Sequence, residues 1–75
     1  MQYEFEAYSN YQIEAVIDEW IHGAMNRDML KMKLIDHMTI EQIADHYKIS
    51  PITTQRKIKK MKAVIMRHLS TRNMI

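Results

Sequence analysis

No cysteine occurs among the 75 residues of this chain. That excludes a disulfide, a thiolate zinc site and a cysteine nucleophile, and it suits a reducing compartment. Glycine and proline occur once each, which leaves no room for a glycine-rich phosphate loop or for the repeated turns of an all-β fold. No apolar run approaches the roughly 20 residues needed to cross a bilayer. The chain opens with acids and aromatics rather than a basic and then apolar stretch, so no secretory signal is read there. What remains, eight methionines with many Ile, Lys and Glu, is the composition of a small helical protein. The expectation is an all-α, cytoplasmic domain without a membrane partner.

Each end of the chain also lacks charge of one sign. Met1 to Ala24 holds Glu4, Glu6, Glu14, Asp18 and Glu19 and no Lys or Arg. Tyr47 to Ile75 holds Lys48, Arg56, Lys57, Lys59, Lys60, Lys62, Arg67 and Arg72 and no acid. The net charge of +2 therefore conceals a strongly basic C-terminal third, an asymmetry that points to a nucleic-acid partner.

Periodicity predicts four helices behind a short arm. Residues 1–8 alternate Tyr3, Phe5 and Ala7 with Gln2, Glu4 and Glu6. That is the period of a strand without a partner in the chain, so the segment is expected as an N-terminal arm that pairs with another chain, packs on the domain or stays loose, outside a single domain over 9–75. Helix one starts at a cap on Ser9 or Asn10 and buries Ile13, Val16, Ile17, Trp20 and Ile21, with Gly23 as its stop. Helix two is expected over about Asn26 to Asp36, burying Met29, Leu30, Leu34 and Ile35. Thr39 and Gln42 form a capping box for a third helix from Ile40 to Tyr47, whose inner residues are Ile40, Ile43, Ala44 and Tyr47. Ser50 caps the fourth and Pro51 suits its first position, where a missing N–H costs nothing. Thr54, Ile58, Met61, Ile65 and Leu69 then form one buried stripe. At 100° per residue Gln55, Arg56, Lys59, Lys60 and Ala63 lie opposite, with Lys62 at the edge of that face and Lys57 near the core boundary.

Residues 39–69 read as a helix-turn-helix. Ala44 is small where the two helices nearly touch, Ile49 plugs the turn five residues later, and Ile43, Tyr47 and Ile58 complete the wedge. Lys48 stands where Gly is commonest and Thr54 where Val or Ile is usual. The segment from Arg27 to Asp36 followed by MTIEQIADHYKISPITTQRKIKKMK resembles the region-four domain of bacterial sigma factors. The matching positions are Arg27 and Leu30, then Glu41, Ile43 and Ala44, then Ser50. With residues 17–23 ahead of it, the chain is also similar to small prophage-encoded regulators of Firmicutes. The resemblance covers residues 26–62 for the first family and nearly the whole chain for the second. It implies promoter or operator recognition; the chain carries none of the promoter-melting regions of a full sigma factor.

In a helix-turn-helix the second helix enters the major groove. Gln55 suits a bidentate contact with adenine, Arg56 one with guanine, and Ile52 or Thr53 a thymine methyl. Lys59, Lys60 and Lys62 are read as phosphate contacts, Thr39 or Gln42 as the anchor of helix three on the DNA backbone, and Ser50 as a further DNA-contacting residue. The partner expected is double-stranded DNA. A homodimer is expected as well, because Val64, Met66 and Met74 extend past the stripe that one small core covers. The competing reading is a protein-interaction module that binds RNA polymerase or a host regulator through the acidic first helix; a DNA-bending recombination factor is the third. No enzyme, cofactor or metal site is expected, since the four His lack ligand spacing and no acid is paired with a base.

Overall fold

The computed structural model describes the backbone of residues 8–72 and the side chains of residues 8–69. Four helices follow in order: α1 (Asn10–Trp20), α2 (Ala24–Leu34), α3 (Ile40–Tyr47) and α4 (Pro51–Arg72). Residues 1–7 of the expected arm, and Met74, lie outside the described residues.

Each helix begins where the sequence offers a cap. The Ser9 hydroxyl accepts from the Gln12 N–H at 3.1 Å, while Gln12 Oε1 accepts from the Ser9 N–H at 2.9 Å. This reciprocal pair satisfies two of the orphan donors at the start of α1. Thr39 and Gln42 repeat it at the start of α3 with the same distances. Gly23 does not stop α1. The chain leaves the helix at Ile21, and Gly23, at φ +91°, is the N-cap of α2. A side chain at that φ would be strained, which explains why glycine sits there. α2 consequently begins and ends two residues earlier than expected. Its exit is closed by the Asp36 N–H on Lys31 O and the Met38 N–H on Met32 O, around a left-handed His37 at φ +59°.

The core forms where the four apolar stripes meet. Ile13, Val16, Ile17 and Ile21 of the first helix and its exit pack with Met29, Leu30 and Leu34 of α2. Ile43 of α3 and Ile58, Met61, Ile65 and Leu69 of α4 complete the cluster. Each fully buried side chain of this kind contributes about 1.5–3 kcal/mol. α4 is the spine: α1, α2 and α3 all pack on it. Thr54 is fully buried in the same stripe, and its hydroxyl donates back to Ser50 O at 3.0 Å, which lets a polar residue occupy an apolar position.

Three expectations about the core need correction. Trp20 is 42 % exposed. As the last residue of α1 it lies at the rim of the helix seam, where its ring stacks on His68 of α4 with centroids 3.8 Å apart and planes 6° apart. Val64 and Met66 are half-buried against the core cluster rather than left as an exposed apolar end. Lys57 is exposed rather than at the core boundary. Ile35, Ile40 and Tyr47 are half-buried at the edge of the same core.

Candidate nucleic-acid interface

Between α3 and α4 the chain turns within Lys48, Ile49 and Ser50. Lys48 is left-handed at φ 58°, ψ 41°, a conformation that costs a non-glycine residue about 1 kcal/mol. The turn holds because the Ile49 N–H donates to Ala44 O at 3.0 Å and the Lys48 N–H to Asp45 O at 3.2 Å. Ala44 is buried between the helices and Ile49 is half-buried under the turn, as the helix-turn-helix pattern requires.

The ten residues singled out for DNA contact all have solvent access: Thr39, Gln42, Ser50, Ile52, Thr53, Gln55, Arg56, Lys59 and Lys60 are exposed and Lys62 is half-buried. They do not form one flat patch. Gln55 opens toward a groove of about 510 Å³ between α2, α3 and α4, which Lys33, Ile40, Lys59 and Lys62 also line. Arg56 opens toward the other flank of α4, with Thr53, Lys57 and Lys60 around a shallower hollow of about 350 Å³. Lys59 borders both and so forms the ridge between them. Ile52 is 64 % exposed in the first turn of α4. It shares with Gln55, Arg56 and Lys59 the three- and four-residue spacing of a single helix face.

Hydrogen bonding separates the roles of the small polar residues. The Ser50 hydroxyl accepts from the Thr53 N–H at 3.1 Å and donates to Thr53 Oγ1 at 2.9 Å. Its only O–H is thus committed to the cap, and Ser50 positions Thr53 rather than offering a donor outward. Thr39 and Gln42 use acceptor oxygens for their capping box. What they present beyond it, a hydroxyl hydrogen and an amide NH2, has the donor polarity that a phosphate needs.

Two lysines on these surfaces did not belong to the set read from the sequence. Lys57 is exposed beside Arg56 and Lys60, and its position on the wheel was simply too close to the boundary to assign. Lys33 belongs to α2 and reaches the α4 groove only through the packing of the helices, with its ammonium 3.4 Å from Met38 O. No sequence period links positions 33 and 59.

The acidic face of α1 is differently occupied. Lys31 of α2 lies 2.8 Å from Asp18 and 3.5 Å from Glu14. Its pKa is raised from the ordinary 10.5, first by the hydrogen bond to Asp18; burial opposes the rise, and the charges of Asp18 and Glu14 add to it. Arg27, matched above to the bracing helix, donates from Nη1 to Ile21 O at 3.2 Å and so closes the end of α1. Among the described residues no three His, Cys, Asp or Glu gather as a metal site would require, and no helix is long and apolar enough to cross a membrane. The chain matches no family model, and neither the curated proteins nor the solved structures include a significant match to it.

Proposed function

We propose that this chain is a sequence-specific DNA-binding transcriptional regulator of the sigma region-four-like type, encoded by a prophage or other mobile element and working in the cytoplasm on the nucleoid. The helix starting at Pro51 enters the major groove. The observation that carries the reading is the outer face of α4. Ile52, Gln55, Arg56, Lys59 and Lys60 are all exposed there, on a helix without a single acid that follows a tight turn from α3. An exposed isoleucine among bases serves no packing purpose, whereas a thymine methyl would cover it. Gln55 and Arg56 supply the bidentate groups for base edges, and Lys57, Lys59 and Lys60 neutralise phosphates.

Two copies of the domain are proposed to act together on half-sites about one DNA turn apart. Val64 and Met66, half-buried against the core, do not carry this arrangement. Its support comes from Trp20 and Met25, each 42 % exposed at the junction of α1 and α2. The Trp20–His68 stack lies 17 residues beyond Pro51, about 26 Å along the helix axis. A contact there leaves the reading end of α4 open. The alternative of an acidic α1 that grips RNA polymerase is weakened by Lys31, which pairs with both Glu14 and Asp18 within the chain and offsets one of their two charges.

The test is selection of bound fragments from sheared genomic DNA at physiological salt, followed by sequencing. A short enriched motif supports the regulator, and an inverted repeat supports the paired arrangement. Retention without a motif points instead to a DNA-bending role, and the absence of retention overturns the DNA reading.

A further inference from the structure

The bases of α4 stand on two flanks rather than one. Thr53, Arg56, Lys57 and Lys60 surround one hollow, while Gln55 and Lys62 share with Lys33 the groove between α2, α3 and α4. Lys59 borders both. An α-helix with its side chains is about 10–12 Å across, and the major groove is about 12 Å wide. A helix seated there consequently has one phosphate backbone against each of its flanks. Among the described residues no acid lines either surface, so neither strand meets a like charge.

Lys33 differs from the other bases in coming from α2, which precedes the helix-turn-helix. It is half-buried, and its ammonium lies 3.4 Å from Met38 O. An ammonium has three N–H groups, so one directed at that carbonyl leaves two for a further acceptor. The same contact holds a long side chain in place before any partner arrives, which lowers the entropy lost on binding. Ile40, the first residue of α3, lines the same groove. The start of α3, where Thr39 and Gln42 present donors, therefore belongs to the same flank. We propose that the domain clamps both DNA strands at once. Lys33 of α2, with Lys62, holds phosphates of one strand, while Lys57 and Lys60 hold phosphates of the other. α2 is thereby part of the DNA interface as well as of the core. The clamp rests on the DNA reading of α4.

The test uses the full chain and the duplex it selects, with single phosphates replaced by uncharged methylphosphonates on either strand. Neutralising a phosphate that a lysine holds should weaken wild-type binding about 3- to 10-fold. Lys33→Gln should bind the unmodified duplex more weakly by a similar factor and reduce the slope of log affinity against log salt by about 1. Its discrimination between base pairs should not change. In that variant the methylphosphonate penalty should vanish at phosphates of one strand only, and in Lys60→Gln at phosphates of the opposite strand. Lys33→Arg keeps the charge and should hold the wild-type slope; a slope reduced equally in both Lys33 variants makes the effect structural and overturns the clamp. An unchanged slope in Lys33→Gln, or penalties relieved on the same strand by Lys33→Gln and Lys60→Gln, overturns the clamp and leaves the DNA reading standing. A wild-type chain that binds no duplex in a fixed register removes the sequence-specific reading, and the clamp with it.

Discussion

Arg56 and Lys60 lie four residues apart on one helix, yet they should fail in different ways when removed. The guanidinium of Arg56 can bond two acceptors of one guanine at once, and no other base presents that pair in the same geometry. Arg56→Ala is therefore expected to cost about 1–3 kcal/mol of discrimination at one base pair. A lysine at a phosphate carries no sequence information. Lys60→Ala should weaken binding to every duplex and reduce the slope of log affinity against log salt by about 1. Titration of the selected site and a scrambled duplex over several salt concentrations separates the two, and identical profiles for both variants would refute the division of roles. Thr54 makes a complementary case about stability. Its hydroxyl bonds to Ser50 O, but that carbonyl also receives the Thr54 N–H at 3.0 Å, so deleting the hydroxyl orphans nothing. Thr54→Val should change unfolding free energy by less than about 1 kcal/mol in either direction. Thr54→Ala, which leaves a gap in a fully buried position, should cost about 1–2 kcal/mol. Urea denaturation of the two variants decides this, and equal losses would mean that the hydroxyl, not the packing, matters.

The contact between α1 and α2 depends on protonation as well as packing. Lys31 bridges Glu14 and Asp18 across the two helices, and its raised pKa means that the folded state favours the ammonium form. Such a group contributes its full stabilisation below its unfolded value of 10.5, and loses it as pH climbs through the folded value. Tyr47 at the end of α3 acts in the same direction. Burial, and then the charge of Asp28, push its phenol up from the ordinary 10.0, so its neutral form is the one the fold prefers. Both effects predict that the melting temperature holds steady up to about pH 9.5 and falls progressively above pH 10. Lys31→Met and Tyr47→Phe should each start lower or level but decline less steeply with pH. Calorimetry between pH 8 and 11.5 checks the sign, and a parallel decline in all three proteins would remove these two groups as its cause.

For the molecule as a whole, basic and apolar surfaces lie at different places along α4. Bases surround the N-terminal half of the helix, while Trp20, 42 % exposed and stacked on His68, leaves apolar surface near its C-terminal half. Association through the second surface would orient two reading helices outward. Sedimentation at tens of micromolar should then show a dimer that Trp20→Ala reverts to a monomer without loss of helicity by circular dichroism. A protein that is monomeric with and without its selected DNA would rule out the paired arrangement. His68 accompanies Trp20 in this surface, so the substitution also removes the stack that joins the ends of α1 and α4.

The helices and most of the core were legible in the sequence because they depend on short-range regularities. The Thr39–Gln42 spacing defined the start of α3, Ser50-Pro51 the start of α4, and the period from Thr54 to Leu69 named five residues that are all buried. The outward face of α4 follows from the same period by subtraction, which is why the seven candidate contacts on that helix have solvent access. Other features depended on helices meeting. Position 20 has the spacing of a core residue, and only the placement of α1 against the end of α4 puts its ring on His68. Gly23 has the chemistry of a helix stop, but a positive φ serves a helix start equally well, and the path of the chain from Ile21 selected the second. Lys33 joins the rim of the α4 groove because α2 crosses that helix, a relation between residues 26 positions apart that no local pattern encodes. Periodicity tells a residue which side of its own helix it occupies; what lies opposite is decided by the packing of the other three.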